Sequence, residues 1–507
     1  MKAPGEMQSI PTLFEDQSKD TNSASFSQER LEGLERHIVD MSATTTETFD
    51  PTPHEKVLDQ LLSQIEPIDY RAYANAEGQD DKLKTKHFLV VTAWVIQDLA
   101  RRNRWAICRN QDFIYIYNGA YWKVIQKDDL KLFLSRAAEK MGVDKITAQY
   151  VKFIDQLFDQ FNSSAYFPAP EGDRSAVKIN LLNGTFEIGI DRQQLQAPNS
   201  LDFLKYQLPF PYDPDAKAPI FHRYLNTALP DSDCRKVLAE FLGYVFISTS
   251  KLKLEKALLL YGSGANGKSV IFEITSAMYG RDNISHYGLQ SLTTEPAYCR
   301  AHLANKLLNH ASEISGKMEA NMFKQLVSGE PVEARLPYGQ PFVMTDYAKL
   351  IFNCNELPSD VEHTPAYFRR FIILPFNVTI AEKDQDKQLA DKIIRTELSG
   401  VFNWVLEGLR RLLSQGRFTD CEAVRQQIEL YKQQSDSVRL FLDEEGFKAT
   451  PDQHPKPLKD LYSSYRSYCS FDGYRPVNNK NFKNRLNSYG IITEKKTIGQ
   501  VAYVTKA

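Results

Sequence analysis

The sequence has few cysteines and no long hydrophobic run. Its 507 residues include 6 cysteines, and no two of them are spaced as C-x-x-C. This argues against a zinc ribbon and favours reduced thiols in a cytoplasmic protein. The longest apolar stretch, Phe88 to Ile96, is too short to cross a bilayer, and the N-terminus lacks the charged-then-apolar pattern of a signal peptide. We therefore expect neither export nor a membrane partner.

An excess of positive charge is also missing. The 62 Lys and Arg residues are balanced by 64 Asp and Glu residues, which gives a formal net charge of -2. A protein that coats nucleic acid over its whole surface needs a strong basic excess, so any DNA contact is expected to be local. The hydrophobic content of 42% and the length are those of an ordinary globular protein, with room for about three domains.

What the sequence does contain is one unbroken G-x-x-x-x-G-K-[ST] pattern. It consists of Gly262, Ser263, Gly264, Ala265, Asn266, Gly267, Lys268 and Ser269. The apolar run from Ala257 to Tyr261 predicts a strand before it, and the residues from Val270 onward predict a helix after it, which is the context of a phosphate-binding loop. A chance match is the alternative.

The physical role of such a loop defines the expected ligands. Its main-chain N–H groups and the helix N-terminus bind phosphate oxygens, Lys268 contacts the β- and γ-phosphates, and Ser269 binds Mg²⁺. We therefore expect ATP and Mg²⁺ as cofactors, with Val270 as the last residue of the nucleotide-binding segment.

Three later positions could complete an active site. Apolar strands are predicted to end in Glu313, which could orient water or bind Mg²⁺, and in Asn355, whose amide could hydrogen-bond a γ-phosphate. Arg369 and Arg370 precede another apolar run, where they either form structural ion pairs or act as a finger on a neighbouring subunit's phosphate. The alternatives without a catalytic role are a surface acid for Glu313 and a turn residue at the end of the strand for Asn355.

Composition divides the chain into four segments. Residues 1–84 are predicted to form a polar tail or linker that is largely disordered, because small polar residues dominate much of this segment. Residues 85–212 are predicted to form a mixed α/β accessory domain, with a hairpin at Asn118-Gly119. A proline-rich boundary then precedes the nucleotide-binding domain, placed at residues 213–420.

The last segment, residues 421–507, predicts a winged helix. Three helical patterns are followed by two short strand patterns, and the third helix would enter a DNA groove. Lys480 and Lys483 are expected on the exposed side of that helix, with Arg485 as a further candidate. Binding of a protein by this domain is an equal alternative.

In this order the motifs resemble those of superfamily-3 helicases, specifically the phage and plasmid primase-helicase family related to the poxvirus nucleoside triphosphatase. The resemblance is close over about residues 215–380 and weaker on both sides. It rests on Gly262 to Ser269, the strand ending at Glu313, Phe323 to Arg335, Leu350 to Pro358 and Phe368 to Arg370. It implies an AAA+-like P-loop core in a homo-oligomeric ring, usually a hexamer, that hydrolyses ATP between subunits and moves along single-stranded DNA.

The resemblance also implies roles for individual residues. Glu313 would be the catalytic carboxylate and a metal ligand together with Ser269, Asn355 the sensor, and Arg370 or Arg369 the finger acting on a neighbouring subunit. Relatives often have paired acids where Ser312 precedes Glu313 here, so the division between metal ligand and base stays open.

The expected DNA contacts follow the family's pattern less closely. Its hairpin usually offers a Lys at the tip, whereas here the turn leaves Arg335, Tyr338 and Gln340 as the candidates. The family's catalytic primase part lies in a further N-terminal domain, for which this chain is expected to be too short. A separate primase is therefore a candidate partner at the replication fork of a phage, plasmid or integrated element.

Two other classes of function stay open. One is an ATP-switched DNA-binding or origin-recognition protein with little unwinding, and the other is a P-loop phosphotransferase. The phosphotransferase predicts an arginine-rich lid and no strand ending in asparagine, so residues 350–376 count against it. Stimulation of hydrolysis by single-stranded DNA, followed by strand displacement, would separate a helicase from a switch.

Overall fold

The computed structural model describes residues 51–73, 82–111, 113–167, 176–190, 192–312, 314, 318–337, 339–358, 361–451, 455–497 and 499–506. No helix within these ranges is long and apolar enough to cross a membrane. The described chain is a mixed α/β structure that contains one parallel sheet.

The described residues of the N-terminal part form six α-helices and six strands. The helices are α1 His54–Gln64, α2 Tyr70–Tyr73, α3 Thr85–Arg102, α4 Lys127–Lys140, α5 Lys145–Gln149 and α6 Val151–Ser164. The strands form two antiparallel sheets, β1 Ala106–Asn110 with β2 Phe113–Tyr117 and β3 Trp122–Ile125, and β4 Val177–Leu181 with β5 Gly184–Ile188 and β6 Gln193–Gln196. The predicted hairpin at Asn118-Gly119 therefore forms.

The prediction of a polar tail up to residue 84 is wrong for the described residues 51–73. Val57 and Leu61, one helical turn apart on α1, are fully buried, and Tyr70 on α2 is 4% exposed. They join the hydrophobic cluster of α3, α4 and α6. A few apolar residues at helical spacing are enough to bury one face of a helix, even where the average composition is polar. Residues 1–50 lie outside the described residues.

A five-stranded parallel sheet lies at the centre of the chain. Its strands are β7 Ala257–Tyr261, β8 Ile284–Ser285, β9 Leu308–Ala311, β12 Lys349–Cys354 and β13 Phe371–Pro375, in the spatial order β13-β7-β12-β9-β8. Alternate residues of β7 face two different hydrophobic clusters, with Leu258 on one face and Leu259 on the other. Burial on both faces explains why these strands read as almost continuous apolar runs.

Helices and one hairpin surround the parallel sheet. The helices are α7 Pro219–Ala228, α8 Ser232–Tyr244, α9 Lys268–Tyr279, α10 Leu289–Thr293, α11 Tyr298–Ala301, α12 Ala320–Ser328, α13 Pro365–Phe368, α14 Leu389–Thr396, α15 Leu398–Gln415 and α16 Glu422–Gln434. The hairpin pairs β10 Val332–Arg335 with β11 Pro341–Met344.

Two predicted domain boundaries do not separate hydrophobic cores. Ile179 and Phe186, on β4 and β5, share a cluster with Leu258 of the parallel sheet, so the boundary at 212 divides packed residues. Tyr431 of α16 packs with Phe371 at the start of β13, so α16 belongs with the sheet and not with the C-terminal domain. In both places the chain crosses from one predicted domain to the next while its apolar side chains remain in one core.

The C-terminal residues form a cluster of their own from Val438 onward. Its helices are α17 Ser437–Glu444, α18 Leu458–Phe471 and α19 Asn479–Ser488, and its strands are β14 Phe447–Ala449, β15 Lys456–Pro457, β16 Thr493–Lys496, β17 Gly499–Ala502 and β18 Val504–Lys506. Phe441, Tyr465 and Phe482 bring the three helices together through aromatic contacts. The antiparallel pair β16–β17 follows the third helix.

Candidate nucleotide site and nucleic-acid surfaces

The phosphate-loop sequence lies between β7 and α9 at the carboxyl-terminal edge of the sheet. Lys268, the first residue of α9, is 7% exposed, and burial lowers the pKa of its ammonium group. Its Nζ donates to the carbonyl of Gly262 at 2.6 Å and to Oδ1 of Asn266 at 3.0 Å. The lysine is therefore folded back across the loop that precedes it.

After Gly262, the main-chain donors of this loop are unused. Within the described part of the chain, none of the N–H groups from Ser263 to Ser269 donates a hydrogen bond, and no side chain caps the start of α9. The hydroxyl of Ser269 is exposed and also has no hydrogen-bond partner there. A helix N-terminus with free N–H groups beside a lysine is an anion-binding arrangement.

Close packing at two glycines fixes the path of the loop. A Cβ at Gly262 would lie 2.3 Å from the carbonyl oxygen of Phe376, which itself accepts from Nδ2 of Asn266 at 3.0 Å. Gly267 has φ +89°, and Tyr224 of α7 donates its hydroxyl to the Gly267 carbonyl at 2.6 Å. Sequence reasoning missed Tyr224, since it lies 43 residues before Gly267 and no local motif marks it.

Asn355 lies at the same edge of the sheet as the loop. The carbonyl of Cys354, the last residue of β12, accepts from the N–H of Gly262 at 3.1 Å, so Asn355 directly follows a residue bonded to the loop. The Asn355 side chain is exposed and makes no hydrogen bond to a described residue. Its amide is free to bind a ligand in the loop.

Glu313 and the acid-ended strand are described only in part. Strand β9 ends at Ala311, which is paired in register with Phe352 of β12, so this strand points toward the edge that carries the loop. Ser312 is exposed. Glu313 lies outside the described residues, and its catalytic and metal-binding role stays a prediction.

A buried histidine connects the elements that carry the site. His310 on β9 is fully buried, with Nδ1 3.0 Å from the Thr275 hydroxyl on α9 and Nε2 3.1 Å from Oδ1 of Asn353 on β12. Burial lowers its pKa to about 4, so the ring is neutral at pH 7. Because the Asn353 oxygen only accepts, Nε2 carries the proton. The presence of a titratable residue inside an otherwise apolar strand is the sequence signal that could have revealed His310.

The two candidate finger arginines have different environments. Arg370 is 7% exposed, and its guanidinium donates to the Ala366 carbonyl at 2.5 Å and to the Ser328 hydroxyl at 3.0 Å. Arg369 has a side chain that is 64% exposed and pairs with Glu255 at 3.2 Å. Arg370, the first choice from the sequence, is held inside its own chain, whereas Arg369 presents most of its side chain to solvent.

The position of Arg369 on the sheet restricts what it can touch. It precedes β13, whose Phe371 is paired with Ala257 at the start of β7, whereas the phosphate loop follows Tyr261 at the other end. A strand of five residues is roughly 16 Å long. Arg369 therefore lies at the opposite edge of the sheet from its own chain's loop.

The β10–β11 hairpin presents one of the three predicted DNA residues in an unpaired state. Arg335 is exposed, but its Nε donates to the Gly339 carbonyl at 2.9 Å and closes the turn. Gln340 is exposed and makes no hydrogen bond to a described residue. Tyr338 lies outside the described residues. Val343, 54% exposed, adds an apolar side chain to this hairpin.

The base of the hairpin is attached to the N-terminal part of the chain. Lys205 bonds Asp346 at 2.6 Å and Asn305 at 3.0 Å, and the Phe113 ring on β2 meets Phe342 of β11 edge-on at 5.4 Å. Burial alone would lower the pKa of Lys205, but Asp346 raises it, and Lys205 in turn holds the Asp346 pKa below its usual range. We call this set of contacts the hairpin-base contact.

Helix α19 carries the C-terminal basic candidates. Lys480 is exposed, while Lys483 is half-buried and donates to Oε1 of Gln500 on β17 at 2.8 Å. Arg485 is not on the exposed side: it bonds the buried carboxylate of Asp436 at 2.9 Å. Arg485 lies five positions after Lys480 and therefore on a different face of the helix, which explains the error for Arg485.

Comparison with known proteins gives partial matches. Residues 93–230 match a family model described as D5 N terminal like, and residues 260–370 match a family of unknown function, DUF5906. The chain is 22% identical over 350 residues to a protein of Invertebrate iridescent virus 3 provisionally named helicase 121R, covering 61% of this chain and 37% of that protein. It is 26% identical over 161 residues to one of Acanthamoeba polyphaga mimivirus provisionally named helicase L207/L206, covering 30% and 16%.

The chain thus spans well under half of the length of these two curated relatives. Among solved structures, the apo structure of the NrS-1 C-terminal region is 13% identical, with a TM-score of 0.46 over 82% of this chain and 99% of that chain. A TM-score of this size does not establish a common fold. The chain is therefore similar in sequence to viral proteins named as helicases.

Proposed function

We propose that this chain is an ATP-dependent DNA helicase of the superfamily-3 type, with an AAA+-like core and a C-terminal winged helix. It works as a homo-oligomeric ring on single-stranded DNA in the replication of a phage, plasmid or integrated element. The resemblance implies six subunits. The helicase-named viral relatives support the class of activity, and the free N–H groups of residues 263–269 are the observation that carries the nucleotide-binding part.

The residues of the loop fit a triphosphate and a magnesium ion. The unused N–H groups match phosphate oxygens, Lys268 needs a counter-charge because it is desolvated, and the free Ser269 hydroxyl is a ligand of the kind that Mg²⁺ takes. Mg²⁺ bound there would neutralise phosphate charge. Gly262 lets the loop pass close to the Phe376 carbonyl, Lys268 would bind the phosphates, and Asn355 would donate from the end of the neighbouring strand.

DNA would bind to exposed side chains outside the nucleotide loop. Gln340 and Lys480 are the two candidates that the described residues leave unpaired, one on the hairpin and one on α19. Lys480 can bind phosphate as a point charge. Local contacts of this kind suit a chain whose net charge is -2.

The test uses the purified full chain with ATP, Mg²⁺ and a forked DNA. We expect hydrolysis that single-stranded DNA stimulates, together with strand displacement. Lys268→Ala should lose at least about 10²-fold in hydrolysis, the scale measured when one preorganised donor to a transition state is removed. Lys236→Ala is the matched control, because that lysine is exposed on α8 and pairs only at the surface with Asp233.

Two results would contradict the proposal in different ways. Normal hydrolysis by Lys268→Ala would move the active site away from the loop. Hydrolysis by the wild type without DNA stimulation or strand displacement would favour the ATP-switched DNA-binding protein.

A further inference from the structure

A cluster of two thiols and a carboxylate is formed by residues that the nucleotide site does not use. The sulfurs of Cys234 and Cys421 are 3.4 Å apart, although the residues are 187 positions apart in the chain. Both cysteines are buried, at 1% and 3% exposure. The carboxylate of Asp231 completes the group, and the three ligand atoms lie within 4.8 Å of one another.

Two helix starts create this arrangement. Asp231 is the cap of α8, where its Oδ1 accepts from the N–H groups of Asp233 at 2.7 Å and Cys234 at 3.1 Å. This cap holds the carboxylate one turn before Cys234. Cys421 directly precedes α16 and is brought to α8 by the packing of α15 and α16 on the core.

The geometry points to a zinc site: we propose that Asp231, Cys234 and Cys421 bind Zn²⁺ or a similar thiophilic divalent cation, with water as the fourth ligand. Zinc–sulfur bonds of about 2.3 Å at a tetrahedral angle place two sulfurs about 3.8 Å apart. The observed 3.4 Å is nearer to that value than to the disulfide bond of about 2.05 Å.

The carboxylate is what separates a metal site from a simple thiol pair. Oδ2 of Asp231 makes no hydrogen bond to a described residue, and Asp231 is exposed, so it offers both a free ligand atom and a route from solvent. Soft thiolates select zinc over magnesium or calcium, so this site would not compete for the ion expected in the nucleotide loop.

The site would join two distant parts of the chain. Cys421 leads into α16, whose Tyr431 packs on Phe371 of β13 directly after the arginine pair. A metal between Cys234 and Cys421 would fix the start of α16 to α8, and with it the connection to the C-terminal domain. Its role is structural, and it does not depend on the proposed helicase activity.

The experiment titrates Co²⁺, a spectroscopic stand-in for Zn²⁺, into the reduced full chain. We expect thiolate-to-cobalt absorption that saturates at one equivalent and disappears on addition of Zn²⁺. Cys234→Ser and Cys421→Ser should each remove the two-thiolate signal, whereas Cys299→Ser, a half-buried cysteine on α11, should retain it.

Asp231→Asn provides a second test of the site if a cysteine variant fails to fold. Asn caps a helix as well as Asp does, but it lacks the charged ligand atom. We expect it to weaken Co²⁺ binding by about 10-fold or more, since loss of even an outer-shell partner costs 10- to 100-fold. No thiolate absorption in the wild type, or absorption that Cys234→Ser and Asp231→Asn both leave unchanged, would overturn the site. A Cys234–Cys421 disulfide in protein that takes up no Co²⁺ after reduction would also overturn it.

Discussion

The two edges of the central parallel sheet differ in how completely their polar groups are paired. At the carboxyl-terminal edge, the N–H groups from Ser263 to Ser269 and the amide of Asn355 have no partners among the described residues. At the amino-terminal edge, Arg370 and Lys205 are bonded to their own chain. Unused main-chain N–H groups at a helix N-terminus form an anion-binding arrangement, and the opposite edge has no such loop among the described residues.

Arg369 also pairs with Glu255, but its side chain is largely exposed, and its function is the largest test of the comparison. If it acts on the loop of a neighbouring subunit, Arg369→Ala should lose about 10³- to 10⁵-fold in hydrolysis, as other arginine fingers do. Mixing Arg369→Ala with Lys268→Ala should restore part of the activity, because some interfaces then pair an intact arginine with an intact loop. Hydrolysis rates across mixing ratios, with mixed assembly verified by native mass spectrometry, provide the measurement.

The control for that experiment is the neighbouring arginine. Arg370→Ala removes bonds to Ser328 and Ala366 inside the chain, so it should lower the melting temperature. Mixed rings that recover no activity at any ratio would show that Arg369 does not act between subunits.

Asn355 tests the carboxyl-terminal edge. Asn355→Ala should slow hydrolysis by about 10²-fold, the scale of one lost donor to a transition state, with little effect on stability because the side chain is exposed. Steady-state hydrolysis and thermal unfolding measured on the same preparation check both halves of this expectation. Asn226→Ala, an exposed asparagine on α7, is the matched control. Equal rates for both variants would reduce Asn355 to a turn residue.

His310 lies beside the carboxyl-terminal edge, and both of its ring nitrogens have hydrogen-bond partners. Its replacement should therefore change the free energy of unfolding more than the rate of hydrolysis. Its pKa is about 4 in the folded chain against 6.5 as the ordinary value, so the unfolded chain binds a proton first as pH falls. Stability is therefore present above pH 6.5 and is lost toward pH 4. Between about pH 7 and pH 4.5 this contribution amounts to about 2 kcal/mol.

The measurement is urea unfolding of the wild type and His310→Gln at both pH values. The variant should lose less stability on acidification than the wild type by that amount. His54, whose burial also lowers its pKa to about 4, is present in both proteins and cancels in the difference. Parallel pH profiles would mean that His310 does not titrate during unfolding.

The sequence predicted where helices and strands form better than it predicted which of them pack side by side. The strand–loop–helix at residues 257–279 and the three C-terminal helices follow from local periodicity and glycine positions, which act within a few residues. The order that inserts β12 between β7 and β9 depends on which faces pack together. Local patterns contain no such information.

The errors have the same physical origin. Arg370 points into the chain because it bonds Ser328, which is 42 residues away, and Arg485 points inward because it bonds Asp436, which is 49 residues away. Local sequence patterns do not reveal partners at such separations. Helices α1 and α2 were expected to be a tail because composition was averaged over a segment in which only a few residues are buried. Glu313 and Tyr338 lie outside the described residues, so their roles stay predictions.

The hairpin-base contact has a practical consequence for dividing the chain into fragments. A fragment that begins at residue 213, where the proline-rich segment invites a cut, would lack both Phe113 and Lys205. The Phe342 ring would then face water and Asp346 would lose the ion pair with Lys205. The fragment would therefore expose a new apolar surface beside the hairpin that favours self-association. Expression of all 507 residues keeps both partners, and any self-association it shows can then be attributed to the natural surface of the protein.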